Sequence, residues 1–155
     1  MPELPEVETV RSGLAAKILG AKIQNLKVYE NRSIRQHEQG KKDFESQLTG
    51  NKIISANRRG KFMWLQLDNQ NRDDALVIHL GMSGQVLIHK TKVLEKHARI
   101  VFDLEGKRNQ NIQMRFVDQR MFGGMFLDTL VSTSQGDLLP SRVSHIARDL
   151  FDPFV

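Results

Sequence analysis

The sequence predicts an α+β domain, in which an antiparallel β-sandwich of about eight strands is flanked by an N-terminal helix and short helices. Two observations support this prediction. From residue 21 onward, short stretches rich in β-branched and aromatic residues alternate with turns that contain Asn, Asp or Gly. Only the N-terminal stretch is long and has the spacing of an amphipathic helix. Since 155 residues suit one domain, residues 1–155 are treated as a single unit.

Three helices are predicted. Apolar residues recur at helical spacing near the N-terminus, at Val7, Val10, Leu14 and Ile18. Pro5 suits a helix start and Gly20 a helix end, so the first helix is predicted from about residue 5 to residue 19. A short helix with Asp43 as its N-cap is predicted over residues 43–48, and a last one over residues 144–150.

The strands are predicted to form a meander, with residues 30–42 and 105–111 as polar loops. The predicted strands cover residues 21–29, 52–57, 61–67, 75–80, 85–89, 99–104, 112–117 and 124–127.

The composition excludes several kinds of chemistry. The chain has no cysteine, so it has no thiol nucleophile, disulfide or Cys-ligated metal centre within these residues. The five histidines form no HExxH motif, and no metal site is predicted. The apolar runs are far shorter than the roughly 20 residues of a membrane span, and the N-terminus lacks the pattern of a secretory signal. A cytosolic protein is therefore expected.

Positive charge is concentrated in one third of the chain. The formal net charge is +5, and residues 17–61 hold eleven basic but only four acidic side chains. A polyanion such as DNA is one partner that this pattern suggests. A solvated basic face that aids solubility explains the charge equally well.

The N-terminus carries an unusual candidate nucleophile. Removal of Met1, which a small second residue generally permits, exposes the secondary amine of Pro2. An α-amine titrates near pH 7.7–8.0, so part of it is neutral and nucleophilic at physiological pH. Glu3 and Glu6 lie close in sequence and offer carboxyl groups for proton transfer. The residues alone allow the simpler interpretation that Pro2 begins an extended segment before the helix.

Several motifs, in order along the whole chain, resemble bacterial formamidopyrimidine-DNA glycosylases, the bifunctional enzymes that remove 8-oxoguanine from DNA. The N-terminal sequence MPELPEVETVRSGL is similar to the family's signature. The other matches are RRGKF at 58–62, HLGMSG at 79–84, EKH at 95–97, DQRMFG at 118–123, and the segment at 144–150.

The resemblance implies catalytic roles for four residues. Pro2 attacks C1′ of the damaged nucleoside and forms a Schiff base, while Glu3 donates the proton that opens the sugar. Glu6 is a supporting carboxylate. Lys61 acts in β-elimination or holds a flanking phosphate, although the residue alone is better interpreted as a solvated lysine at a strand start.

The resemblance also implies five DNA-binding residues. Met82 fills the space left by a flipped nucleotide, Phe122 wedges the opposite strand, and Arg120 hydrogen-bonds the orphaned cytosine, in keeping with their shapes. His97 contacts a phosphate, and His79 supports the same region. Without the resemblance, core packing is the ordinary interpretation of Met82 and Phe122.

Two departures from the family pattern concern the DPRRFG motif and the length of the chain. Gln119 replaces the usual proline and Met121 the second arginine. The family continues into a helix–two-turn–helix region and a zinc finger with one zinc, so the chain is expected to be the N-terminal catalytic domain, with no cofactor of its own and impaired activity alone.

The expected partner is double-stranded DNA containing oxidised purines or abasic sites, bound by a monomer at the bacterial nucleoid. A non-catalytic nucleic-acid-binding module is an alternative. An endonuclease VIII-like glycosylase for oxidised pyrimidines is disfavoured, because that branch usually begins PEGPE and this chain has Leu4.

Overall fold

The described part of the chain contains nine antiparallel strands, two α-helices and a further helical segment at 141–144. The computed structural model describes residues 4–69, 72–89, 93–134 and 136–144. The helices are α1 (Leu4–Ile18) and α2 (Lys41–Leu48), and two 3₁₀ helices cover Asn31–Ile34 and Lys107–Asn109. The strands are β1 (Lys22–Val28), β2 (Lys52–Arg59), β3 (Phe62–Asn69), β4 (Arg72–His79), β5 (Gln85–His89), β6 (Ala98–Glu105), β7 (Asn111–Val117), β8 (Gly124–Ser132) and β9 (Leu138–Pro140).

The strands follow the order β5-β7-β6-β1-β2-β3-β4-β8-β9. Strands β1 and β2 share only the pair Lys22 and Lys52, so this junction divides the order into a four-stranded and a five-stranded half. Apolar residues of both halves, such as Phe102 and Leu65, belong to one buried core. Two sheet halves that share one core are typical of a sandwich, and the predicted α+β class is confirmed.

Helix α1 covers one end of this core. Its buried residues Val7, Leu14 and Ile18 recur at helical spacing, as the sequence predicts. Gly20 follows with a φ of +83°, and its N–H donates to the carbonyl of Ile53 at 2.7 Å. A left-handed glycine therefore ends the helix, binds the backbone of β2 and leads the chain into β1.

The predicted N-cap of α2 is wrong. The helix begins at Lys41, with Gly40 at the N-cap position and a φ of +88°. The carboxylate of Asp43 lies in the first turn, where it accepts from Gln47 and bonds to His37 at 2.7 Å. Glycine allows the chain to enter the helix earlier, so the Asp43 carboxylate joins the preceding loop to α2 instead of capping the helix.

The predicted meander holds from β1 to β4, whereas β6 pairs with β1, β8 with β4 and β5 with β7. Strand β9 was missed because it has only three residues, one of them Pro140, and pairs solely with β8 at the edge.

The loops predicted at 30–42 and 105–111 each contain a 3₁₀ turn. Residues 141–144 are helical, so the last predicted helix begins before residue 144, and its residues 145–150 lie outside the described residues. In the part of the chain that the structure describes, no helix is long and apolar enough to cross a membrane.

Candidate nucleic-acid interface

Two loops meet where β4 ends and β8 begins. The first covers residues 80–84 and the second residues 118–123. At Gly81, a Cβ atom would lie 2.4 Å from the backbone nitrogen of Gly123. At Gly123, a Cβ atom would lie 2.4 Å from the carbonyl oxygen of His79. Real Cβ atoms do not approach backbone so closely, so these glycines are needed for the loops to pack together.

A buried carboxylate joins the two loops. Asp118 is 0% exposed, and its Oδ1 accepts from the Ser83 hydroxyl at 2.7 Å. Its Oδ2 accepts from the backbone N–H of Gly123 at 2.9 Å. The same Ser83 oxygen accepts from the backbone N–H of Arg120 at 3.1 Å. Hydrogen bonds to a buried charge are stronger than those between neutral groups, so this network fixes one loop against the other.

The locked loops present two large apolar side chains to solvent. Met82 is 50% exposed and Phe122 is 45% exposed. Arg120, two residues before Phe122, is also exposed. Core packing is therefore wrong as an interpretation of Met82 and Phe122. Exposed apolar side chains held by a rigid scaffold indicate a binding surface.

His79 lies beneath these loops, at the end of β4. It pairs with Gly124 of β8, and its ring centroid is 5.9 Å from that of Phe62. Burial lowers the pKa of the His79 imidazole, and the nearby Arg35 guanidinium lowers this pKa further, against the opposing effect of the Asp118 carboxylate. The neutral form of His79 is thus favoured in the folded protein.

His97 belongs to the same assembly through Asp118. Its carbonyl accepts from the backbone N–H of Asp118 at 3.0 Å. Its Nδ1 lies 3.3 Å from the Nη2 of Arg99, whose Nε donates to the Asp118 carbonyl at 3.0 Å. Asp118 therefore connects the segment that carries His97 to the loop that carries Arg120 and Phe122.

Lys61 and Glu6 lie on elements that a second network joins. The carboxylate of Glu8, on α1, accepts from Arg11 at 2.7 Å and from the Nε of Arg58, on β2, at 3.0 Å. Glu6 is exposed in the first turn of α1, and Lys61 is half-buried in the β2–β3 turn. The network thus anchors the start of α1 to the strand that leads to Lys61.

The start of β3 links Lys61 to the region of His79. Phe62, which contacts the His79 ring, directly follows Lys61. Pro2 and Glu3 lie outside the described residues.

The sequence reasoning assigned no role to Ser83, Asp118, Arg99 or Arg35, because their contacts are with backbone atoms or with residues distant in sequence. Within the described ranges, no three His, Asp or Glu side chains cluster as metal ligands.

The Glu8 network predicts a specific acid sensitivity. Hydrogen bonds from Arg11 and Arg58 lower the pKa of Glu8 from 4.5 to about 2. A lowered folded-state pKa adds stability above the unfolded-state value, and this stability is lost as the pH falls from about 4.5 to about 2. The stability advantage of the wild type over Glu8→Gln should therefore shrink across this window, as measured by urea midpoints. An advantage that does not change with pH would contradict the assignment.

The comparisons with known proteins agree with this architecture. Residues 1–125 match the family model of the formamidopyrimidine-DNA glycosylase N-terminal domain. This match covers more than half of the chain and defines its class as an N-terminal domain of the formamidopyrimidine-DNA glycosylase type. The chain belongs to the formamidopyrimidine-DNA glycosylase family.

Several bacterial relatives are similar over almost the entire chain. A formamidopyrimidine-DNA glycosylase of Rhodococcus jostii is 49% identical over 154 residues, which cover 99% of this chain and 50% of the relative. The Thermobifida fusca protein of the same name is 43% identical over 158 residues, which cover 99% of this chain and 52% of the relative. The chain therefore spans about half the length of the relatives it matches.

Solved structures of one relative were determined with DNA. The Lactococcus lactis Fpg in complex with DNA containing N7-benzyl-Fapy-dG has a TM-score of 0.72 and 31% identity to this chain, over 83% of this chain and 44% of the other. A complex of the Lactococcus lactis Fpg with DNA containing an abasic site has the same TM-score, with 30% identity over the same shares.

Proposed function

We propose that residues 1–155 form the N-terminal catalytic domain of a bifunctional DNA glycosylase and abasic-site lyase. In base-excision repair it removes oxidised purines, namely 8-oxoguanine and formamidopyrimidines, from double-stranded DNA. One observation carries the proposal: Met82, Arg120 and Phe122 are exposed on two loops that the Asp118 carboxylate locks together. The family membership and the DNA complexes of the similar Lactococcus lactis Fpg support it.

The exposed side chains suit an enzyme that flips its target out of the duplex. A base within the stack is inaccessible, so the nucleotide must be extruded and the resulting gap filled. Met82 is unbranched and fills the vacated space, while Phe122 enters the opposite strand as an apolar wedge. Arg120 supplies several donors in one plane to the unpaired cytosine. The rigid loops allow these contacts to form with little further ordering.

The reaction begins at the free amine of Pro2. Its lone pair forms a bond to C1′ of the damaged nucleoside, and the glycosidic bond breaks with its electron pair moving to the departing base, which takes up a proton. The attached nitrogen then loses its proton and regains its lone pair. As Glu3 protonates the ring oxygen, the C1′–O4′ bond breaks and this lone pair forms the C1′=N bond of an iminium, the Schiff base. Removal of a C2′ proton then expels the 3′ phosphate by β-elimination.

The remaining residues support the DNA and the reacting sugar. Lys61 acts in β-elimination or holds a flanking phosphate, and Glu6 helps to order the site at the start of α1. His97 contacts a phosphate near the 118–123 loop. His79 supports the bend of the first loop, where its neutral form adds no charge beside Arg35.

The activity, DNA partner and location belong to the whole protein, of which this chain matches about half. Residues 1–155 contain no cysteine, so they cannot supply the ligands of a family zinc finger. The protein acts as a monomer in the bacterial cytoplasm, at nucleoid DNA.

Borohydride trapping tests the proposal. The full-length protein, with Met1 removed and its mass verified, is incubated with an abasic-site duplex and borohydride, and the intact mass is then measured. A covalent adduct of one protein and one DNA strand is the expected product, because hydride reduces the iminium to a stable amine. Salt-sensitive binding without any adduct would instead identify a non-catalytic nucleic-acid-binding module.

A further inference from the structure

Phe122 occupies a turn whose backbone conformation needs external support. Met121, directly before it, has a φ of +55°, in the left-handed region that residues with a side chain rarely adopt. Gly123, directly after it, is buried against the backbone of His79 and Leu80. The direction of the Phe122 side chain therefore depends on whatever keeps Met121 in this conformation.

One arginine from a distant part of the chain binds the turn. The Nη1 of Arg35 donates to the carbonyl of Gly123 at 2.9 Å and to that of Met121 at 3.4 Å. Its Nη2 donates to the carbonyl of Phe122 at 2.8 Å. These bonds join residues 86 to 88 positions apart in sequence. A single planar group thus contacts three successive carbonyls.

Arg35 is itself held in place. Its Nη1 also donates to the carbonyl of Arg32 at 2.9 Å, within the turn of the first 3₁₀ helix. Directly after the 118–123 loop, a Cβ atom on Gly124 would lie 2.7 Å from the carbonyl oxygen of Ser33. The 3₁₀ helix therefore packs directly against the start of β8, and the guanidinium bridges two fixed pieces of backbone.

We propose that Arg35 is a positioning residue that holds the 121–123 turn and so directs Phe122 toward the DNA stack. The part concerning DNA rests on the proposed function, whereas the hold on the turn does not. A lysine would keep the charge, but its three donors diverge from one nitrogen and do not reproduce the planar fork whose two nitrogens contact these carbonyls. The effect of Arg35 is therefore geometric, and it is separable from simple attraction to phosphate.

Two variants separate geometry from charge. Arg35→Lys keeps the positive charge and loses the fork, while Arg32→Ala removes a positive charge from the same 3₁₀ helix and keeps the fork. Arg32 is exposed, and within the described residues its side chain makes no hydrogen bond or ion pair. Arg35→Gln is the second geometric variant and replaces Arg35→Lys if urea unfolding shows that the lysine variant does not fold.

The first readout uses the protein without DNA. In a Phe122→Trp background the new indole reports the turn, because the native Trp64 is only 4% exposed and adds a constant signal. Arg35→Lys should lower the fluorescence anisotropy of this indole and increase its quenching by acrylamide, while Arg32→Ala should leave both unchanged. Equal values in Arg35→Lys and its parent would overturn the proposal.

The second readout uses a duplex with a tetrahydrofuran abasic analogue and 2-aminopurine in the opposite strand. With Phe122 present and the protein at saturation, Arg35→Lys should lose most of the fluorescence rise that unstacking produces. Arg32→Ala should reach the full amplitude at a higher protein concentration. If even the wild type gives no rise, the proposed function fails, and the anisotropy of the indole introduced by Phe122→Trp still decides the role of Arg35.

Discussion

Chain that retains Met1 should lose covalent trapping on abasic DNA, by a factor on the order of 10³ or more. With Met1 present, the Pro2 nitrogen is part of a peptide bond, and its lone pair is delocalised into the carbonyl. With Met1 removed, the same nitrogen is a secondary amine, part of which is neutral at about pH 7.5. One preparation treated or untreated with methionine aminopeptidase supplies both forms, and the trapped fraction is measured by intact mass.

Glu3→Gln is the matched control for this experiment. The substitution keeps the terminal amine, and an abasic site has already lost its base, so trapping should persist. Excision of 8-oxoguanine by a full-length protein should fall more than trapping does. Undiminished trapping by chain with Met1 in place would exclude the Pro2 nitrogen as nucleophile.

Gly81→Ala should destabilise the fold by about 3 kcal/mol or more. The added methyl group would lie 2.4 Å from the Gly123 nitrogen and 2.7 Å from the Phe122 carbonyl carbon, both backbone atoms that cannot move aside cheaply. The left-handed φ of +61° adds strain for any residue with a side chain. The free energy of unfolding is measured by urea titration.

Gly60→Ala separates the two causes. Gly60 has nearly the same φ, +59°, but a Cβ atom there has no neighbour within 4 Å. It should cost only about 1 kcal/mol, from backbone strain alone. Similar losses for the two variants would mean that the close packing of the 80–84 and 118–123 loops contributes little to stability.

Local sequence signals predict the elements well where one periodicity dominates. Strand β5 was predicted with the same bounds as observed, and α1 within one residue at each end. The pairing of β1 with β6 was not predictable, because it joins residues about 80 positions apart and no local pattern encodes that choice. Strand β8 was predicted too short, since Asp128 and Thr129 interrupt its apolar pattern.

The candidate site divides in the same way. Motifs locate Met82, Arg120 and Phe122, and the structure places them on adjoining exposed loops. Arg35 was missed because its partners are backbone carbonyls, which every residue has, so nothing in their sequence indicates the contact. Asp118 and Ser83 stood within the motifs, but only the structure joins them in one hydrogen bond.

Peptide mapping of the borohydride-trapped complex identifies the nucleophile directly. After nuclease and protease digestion, the reduced sugar remnant should be on the N-terminal peptide, attached to the nitrogen of Pro2. A remnant on Lys61, or on any other lysine, would contradict the role of Pro2 and assign the nucleophile elsewhere.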